Sequence, residues 1–134
     1  MENCKEKATP MCQKEKLSKN DEAEKVDETL YRSLVGCFMY LTATRPDIFY
    51  VVSLLSRFNN CATDTYFRAA KRVIRYVKGT LNFGIKFYAN KKYVLQGYSD
   101  SYWGGSSDDM KSTSGYCFNL GSGVFSWCSK KQEI

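Results

Sequence analysis

A chain of 134 residues that is 43% apolar and 15% aromatic can enclose a packed core, and that composition excludes disorder along its whole length. It has no histidine, which removes Ser-His-Asp and Cys-His nucleophilic catalysis and leaves no Cys/His set for zinc. The net charge of +6 is uneven: residues 1–29 carry 6 basic and 8 acidic side chains and residues 30–134 carry 14 and 6, so the basic part is the folded part and nucleic acid is the expected polyanion.

No apolar run approaches the roughly 18 residues of a membrane span, and the polar start Met1-Glu2-Asn3-Cys4-Lys5-Glu6-Lys7 lacks the apolar core of a signal peptide. The chain reads as intracellular, cytoplasmic or nuclear, with no membrane partner. Its six cysteines show no C-x-x-C spacing and are expected to be free and mostly buried thiols, Cys37 inside an apolar helix above all.

Residues 1–26 are rich in Lys, Glu, Asp, Asn and Ser, are interrupted by Thr9-Pro10, and read as a flexible leader. From Asp27 the pattern turns helical. Leu30, Leu34, Phe38 and Leu41, flanked by Tyr31, Val35 and Met39, predict a first helix over about 27–43. Thr44-Arg45-Pro46-Asp47 offers an N-cap, a proline for a first turn and an acid for the positive end of the helix dipole. A second helix then runs to about Asn59 with Ile48, Val51, Val52, Leu55 and Phe58 as its apolar stripe.

Thr63 or Asp64 can cap a third helix that ends at Lys78 before Gly79. At roughly 100° per residue, Phe67, Ala70, Val73, Ile74 and Val77 share one face of it. Arg68, Lys71, Arg72, Arg75 and Lys78 share another, which is either an ordinary solvated face or a nucleic-acid-binding one.

Beyond Gly79 the period alternates. Ile85 and Phe87, then Tyr93 and Leu95, predict two strands around a turn at Ala89-Asn90-Lys91-Lys92, the second strand ending at Asp100. A two-residue Gly121-Ser122 loop, with glycine first as a type II′ turn prefers, predicts a hairpin pairing Leu120 with Gly123, Phe118 with Phe125 and Tyr116 with Trp127. That register collects Tyr116, Phe118, Leu120, Phe125 and Trp127 on one aromatic face that wants a covering layer. The fold class expected is α+β, three N-terminal helices followed by an antiparallel sheet.

Asp100 is the candidate catalytic and metal-binding residue, a single carboxylate at a strand end. Asp108-Asp109 reads as a turn, because consecutive side chains diverge and loop carboxylates bond their own backbone. Gly104-Gly105 fits no phosphate-loop pattern.

Four stretches together are specific: Tyr31-Arg32-Ser33-Leu34-Val35-Gly36, then Met39-Tyr40-Leu41-Thr42-Ala43-Thr44-Arg45-Pro46-Asp47-Ile48, then Ala69-Ala70-Lys71-Arg72-Val73-Ile74-Arg75-Tyr76-Val77-Lys78-Gly79-Thr80, and Lys111-Ser112-Thr113-Ser114-Gly115-Tyr116. With the ending Ser126-Trp127-Cys128-Ser129-Lys130-Lys131-Gln132, the chain resembles the Pol polyprotein of copia-type LTR retrotransposons over nearly its whole length. The resemblance implies a reverse transcriptase tail and connection over 27–81 and the opening sheet of a truncated ribonuclease H-like domain over 82–134.

In that family ribonuclease H cuts the RNA strand of an RNA/DNA hybrid with two Mg²⁺ or Mn²⁺ ions held by four acids, and Asp100 matches the first of the four. The chain lacks the helix carrying the next acid, and no Tyr-x-Asp-Asp motif of the polymerase occurs. Where the family reads Asp-x-Asp-Trp this chain has Asp100-Ser101-Tyr102-Trp103; Tyr66 replaces a common histidine and Ala62 a common proline.

The leading expectation is therefore a non-catalytic fragment of a retrotransposon polyprotein that needs no cofactor of its own and retains nucleic-acid affinity. One alternative is a ribonuclease H-type part completed in trans by other Pol segments. Another is an effector-like interaction protein derived from the same segment, although Arg32-Ser33-Leu34-Val35 departs from Arg-x-Leu-Arg at its last position.

Overall fold

A computed structural model describes residues 3–12, 17–19, 22–89, 92–104, 106 and 108–133. The chain divides into two compact units, Met1–Phe83 and Gly84–Ile134. Three helices precede a three-stranded antiparallel sheet, so the fold class is α+β. None of the described helices is long and apolar enough to cross a membrane.

In the first unit α1 spans Glu28–Leu41 and starts where Asp27 Oδ1 accepts from the backbone N–H groups of Thr29 and Leu30, at 2.8 and 3.3 Å. It buries Tyr31, Val35 and Phe38. The expected stripe is rotated by about one position, leaving Leu30 and Met39 more than half exposed. Tyr31 decides the rotation: its ring is fully buried and its hydroxyl donates to the Leu55 carbonyl at 2.9 Å, so a large apolar body enters with its polar tip satisfied. Cys37 falls on the outer side and is exposed, against expectation, and all six cysteines are free with none fully buried.

The chain turns after α1 without using Thr44 as a cap, since its hydroxyl donates back to the Leu41 carbonyl. Pro46–Ile48 forms one 3-10 turn and α2 follows over Phe49–Ser56, three residues short of the expected end. Its predicted stripe of Ile48, Val51, Val52, Leu55 and Phe58 is buried throughout.

Helix α3 spans Asp64–Gly79 with Thr63 at its N-cap. Tyr66, Ala69, Ala70, Val73 and Tyr76 are its buried residues, while Phe67, Ile74 and Val77 pack at the margin of the core. The shift has a cause like that in α1. Two tyrosine rings flank small alanines, and Tyr66 stacks on Phe58 with centroids 4.2 Å apart and planes 16° from parallel.

Parts of the polar leader lie against these helices. Leu17 enters the core, with Met11 and Val26 packed on it, and the Tyr66 hydroxyl donates to the Ser18 carbonyl. Lys25 and Thr63 form an isolated bridge, in which Val26 N donates to Ala62 O at 3.1 Å and Asp64 N to Glu24 O at 2.8 Å.

In the second unit β1 (Leu95–Tyr102), β2 (Thr113–Leu120) and β3 (Gly123–Lys131) pair in that order. The strand expected around Ile85 and Phe87 is not formed. That segment is held through side chains instead: Tyr88 N–H donates to Ser122 Oγ at 2.9 Å, and Phe87 lies so close to Gly123 that a Cβ there would stand 2.7 Å from its ring. Asn90 and Lys91, in the middle of the predicted turn, lie outside the described residues, as does Gly105.

The Gly121-Ser122 loop is as predicted, with φ of +69° at Gly121 as a first position of type II′ requires. Leu120 faces Gly123, but a bulge between Phe118 and Asn119 moves the rest of the ladder by one residue. Phe118 therefore faces Ser126, Tyr116 faces Cys128, and Trp127 faces Cys117 on the opposite side from the other aromatics. One inserted residue is enough, because side chains alternate between faces with a period of two.

Candidate nucleic-acid interface

The five cations of α3 occupy one side of the helix in two different settings. Towards the N-terminal half, Arg68 is exposed and pairs with Asp64 one turn earlier at 2.5 Å, and Lys71 is exposed with its ammonium 4.3 Å from the centre of the Phe67 ring. Both contacts are local to the helix and leave the charge facing water, where such pairs contribute little. Asp64 is an acid on a face that the sequence suggested was purely basic.

Arg72, Arg75 and Lys78 are half-buried beneath the N-terminal segment. Arg72 donates to the Thr9 carbonyl at 3.2 Å and the Thr9 hydroxyl at 2.8 Å, Arg75 to the Lys5 carbonyl at 2.5 Å, and Lys78 to the Cys4 carbonyl at 3.1 Å. Sequence reasoning missed these partners. Backbone carbonyls leave no signature in side-chain pattern, and only the Thr9 hydroxyl could have hinted at one.

Asp100 lies in β1, all of whose residues are exposed, and it faces Gly115 across the ladder. One of its oxygens accepts from the Ser101 N–H at 2.8 Å, and its neighbours on the same face are Tyr98 and Tyr102. Among the described residues no three His, Cys, Asp or Glu side chains come together as a metal set would require. One carboxylate among tyrosines does not fit a pair of divalent ions.

Asp109 is engaged elsewhere. It pairs with Lys131 at 2.6 Å and accepts from the Lys111 N–H at 3.3 Å, and the Lys131 ammonium, with a hydrogen bond from Ser106, holds its carboxyl well below the usual range. The turn reading of Asp108-Asp109 agrees with that backbone bond. Met110 beside it adopts φ of 54°, in the left-handed region.

At the other end of α3 the Thr-Arg-Pro-Asp stretch builds a polar network. Arg45, only 7% exposed, donates to both Asp47 oxygens at 2.9 and 2.7 Å and to the Thr80 carbonyl and hydroxyl at 3.2 and 2.7 Å. The Tyr76 hydroxyl donates to Asp47 at 2.8 Å. Arg45 is the main reason that the Asp47 carboxyl sits below its ordinary range, with Tyr76 adding to it; burial, then Asp47, pushes the Tyr76 hydroxyl up. Asp47 thus ties the corner to α3 as well as standing at a helix start. Arg32, from the partial Arg-x-Leu-Arg match, is likewise structural: it bonds Glu28, the Asn59 carbonyl and the Asn60 side chain.

No family model and no solved structure matches the chain. Among curated proteins it is similar to the retrovirus-related Pol polyproteins from transposons RE1 and RE2 of Arabidopsis thaliana. It is 44% identical to the first over 93% of this chain and 43% to the second over 94%. It spans only 8% and 9% of the length of those polyproteins. It is also 45% identical to a protein named secreted RxLR effector protein 161 of Plasmopara viticola, over 77% of this chain and 73% of that one. The match to both Pol polyproteins runs through the helical unit and the sheet alike, and the chain belongs to the family of copia-type retrotransposon Pol polyproteins.

Proposed function

We propose that this chain is a nucleic-acid-contacting segment of a retrotransposon Pol polyprotein, joining the tail of the reverse transcriptase to the opening strands of a ribonuclease H-like domain, without catalysis of its own. The observation that carries it is the face of α3. Five cations lie along one side of a rigid helix whose opposite side is locked into the core, an arrangement suited to tracking a phosphate backbone. Asp100 supports the second half of the reading by its place on β1, matching the first acid of the family site. It also supports the lack of catalysis, since among the described residues no three His, Cys, Asp or Glu side chains come together there.

Binding of the full chain to a labelled RNA/DNA hybrid, measured across a salt series, tests the proposal. Arg68→Ala with Lys71→Ala should weaken binding and reduce the slope of log affinity against log salt by up to about 2, roughly 0.9 per lost phosphate contact. Unchanged affinity and slope would return the face to an ordinary solvated surface. In the same assay with Mg²⁺ or Mn²⁺ the hybrid should stay intact; cleavage abolished by Asp100→Asn would overturn the non-catalytic part.

A second reading is favoured by the sheet, where Tyr98, Tyr102, Tyr116, Phe118 and Phe125 are all exposed. Such a sheet suits a ribonuclease H part completed in trans by another Pol segment carrying the remaining acids. Gain of Asp100-dependent cleavage on adding that segment would favour it, and no complex and no cleavage would remove it.

A further inference from the structure

The N-terminal segment does more than precede the helices. We propose that residues 4–9 form an intramolecular lid on the phosphate-binding face of α3, holding Arg72, Arg75 and Lys78 with the segment's own carbonyls until nucleic acid displaces it. The inference rests on the reading of α3 as a nucleic-acid face and adds its regulation.

The segment meets the three cations in order along the helix. Cys4 meets Lys78, Lys5 meets Arg75 and Thr9 meets Arg72, so the segment runs antiparallel to the helix and its acceptors follow cations spaced three residues apart. Lys7 N–H donates to the Arg75 carbonyl at 3.3 Å, which adds a backbone tie to the three side-chain ones. The lid thereby gives each of these cations an acceptor that a phosphate oxygen would have to replace.

Its hold is weak by design of its chemistry. Neutral carbonyls are poorer acceptors for a guanidinium or an ammonium than phosphate oxygens, whose bonds to them are charge-assisted on both sides. Cys4, Lys5, Glu6, Ala8 and Thr9 are all exposed, so little apolar area would be uncovered if the segment lifted. Arg68 and Lys71 lie beyond the lid and face water, which leaves two cations to make first contact while three are held back.

Gly79 provides the means of testing this in the full chain. A Cβ on Gly79 would stand 3.2 Å from the Glu6 Cβ, close to the roughly 3.5–4.5 Å separation of a disulfide, and its backbone is not left-handed. Glu6→Cys with Gly79→Cys should therefore cross-link under oxidation, as checked by peptide mapping, and pin the lid shut. The oxidised protein should bind a labelled RNA/DNA hybrid more weakly than the reduced one, with a salt slope smaller by about 2 to 3 for the three withheld contacts. Arg72→Ala with Arg75→Ala added to the pair should lower affinity in the reduced form and change nothing in the oxidised form.

Equal affinity and slope in both redox states, with Arg68→Ala and Lys71→Ala still weakening binding, would overturn the lid and leave the nucleic-acid reading standing. No binding in either state would overturn both. Failure of the cross-link to form would overturn the placement of the segment and with it the lid.

Discussion

Arg45 and Asp47 are two residues apart and face each other through both carboxylate oxygens, the guanidinium donating at 2.9 and 2.7 Å from a site where it is nearly inaccessible to water. Proline between them fixes the corner that allows it. Through Thr80 and Tyr76 the pair also joins the start of the second helical segment to the end of α3.

Arg45→Ala should therefore destabilise the helical unit by about 3 kcal/mol, because it leaves a partly buried carboxylate and the Thr80 groups without their donor and removes a cation packed beside the Tyr76 and Phe83 rings. Urea unfolding followed by helical circular dichroism measures it. Arg45→Lys should recover only part, since an ammonium cannot bond both oxygens in one plane.

The pH dependence of the same unit follows from opposite signs. Asp47 titrates below its unfolded value in the folded state, so its stabilisation is complete above about pH 3.9 and is lost as pH falls through the depressed value. Tyr76 and Tyr31 are raised, chiefly by burial; their contribution is complete below about pH 10 and is lost as pH rises through the raised values. Denaturation midpoints across pH should form a plateau between those limits. Asp47→Asn should flatten the acid shoulder, and Tyr76→Phe should reduce the alkaline loss.

Phe58→Ala should cost about 3 to 4 kcal/mol, since a buried ring and its stacking on Tyr66 are both lost. Tyr31→Phe should cost only about 1 kcal/mol. Its ring stays in place, and the Leu55 carbonyl that loses the hydroxyl keeps the Phe58 N–H at 3.1 Å. The contrast between the two variants, read from the same unfolding curves, separates packing from hydrogen bonding.

At the hairpin, Gly121→Ala should destabilise the sheet unit by about 1 to 2 kcal/mol, because φ of +69° is costly for a residue with a Cβ. The added methyl would also stand 3.1 Å from the Lys92 carbonyl. Gly121→Asn should cost less than alanine, as asparagine tolerates the left-handed region better. Amide hydrogen exchange across β2 and β3 reports the difference.

Helix positions and the hairpin loop were legible because each rests on local chemistry: a helical period opening at Asp27, a Pro46 start, a glycine in a tight turn. The orientation of α1 was not. Tyr31 turns inward because its hydroxyl finds a carbonyl on α2, a partner 24 residues away that no helical period can announce. The bulge beside Phe118 was hidden for a similar reason, as either register alternates correctly and only the inserted Phe125 reverses Trp127. On α3 the five cations were read directly from their spacing. Their division into an open pair and a covered trio depends on main-chain oxygens of Cys4, Lys5 and Thr9, which any residue there would supply.

The bridge between Lys25 and Thr63 has a mechanical consequence. Its two hydrogen bonds, Glu24 with Asp64 and Val26 with Ala62, close the chain into a loop containing α1 and α2. Of these two bonds, tension applied at residues 24 and 64 loads the one at the Glu24 carbonyl first and then the one at Val26, as a zipper does. Until the second has parted, the covalent chain through α1 and α2 is not pulled taut between those two residues.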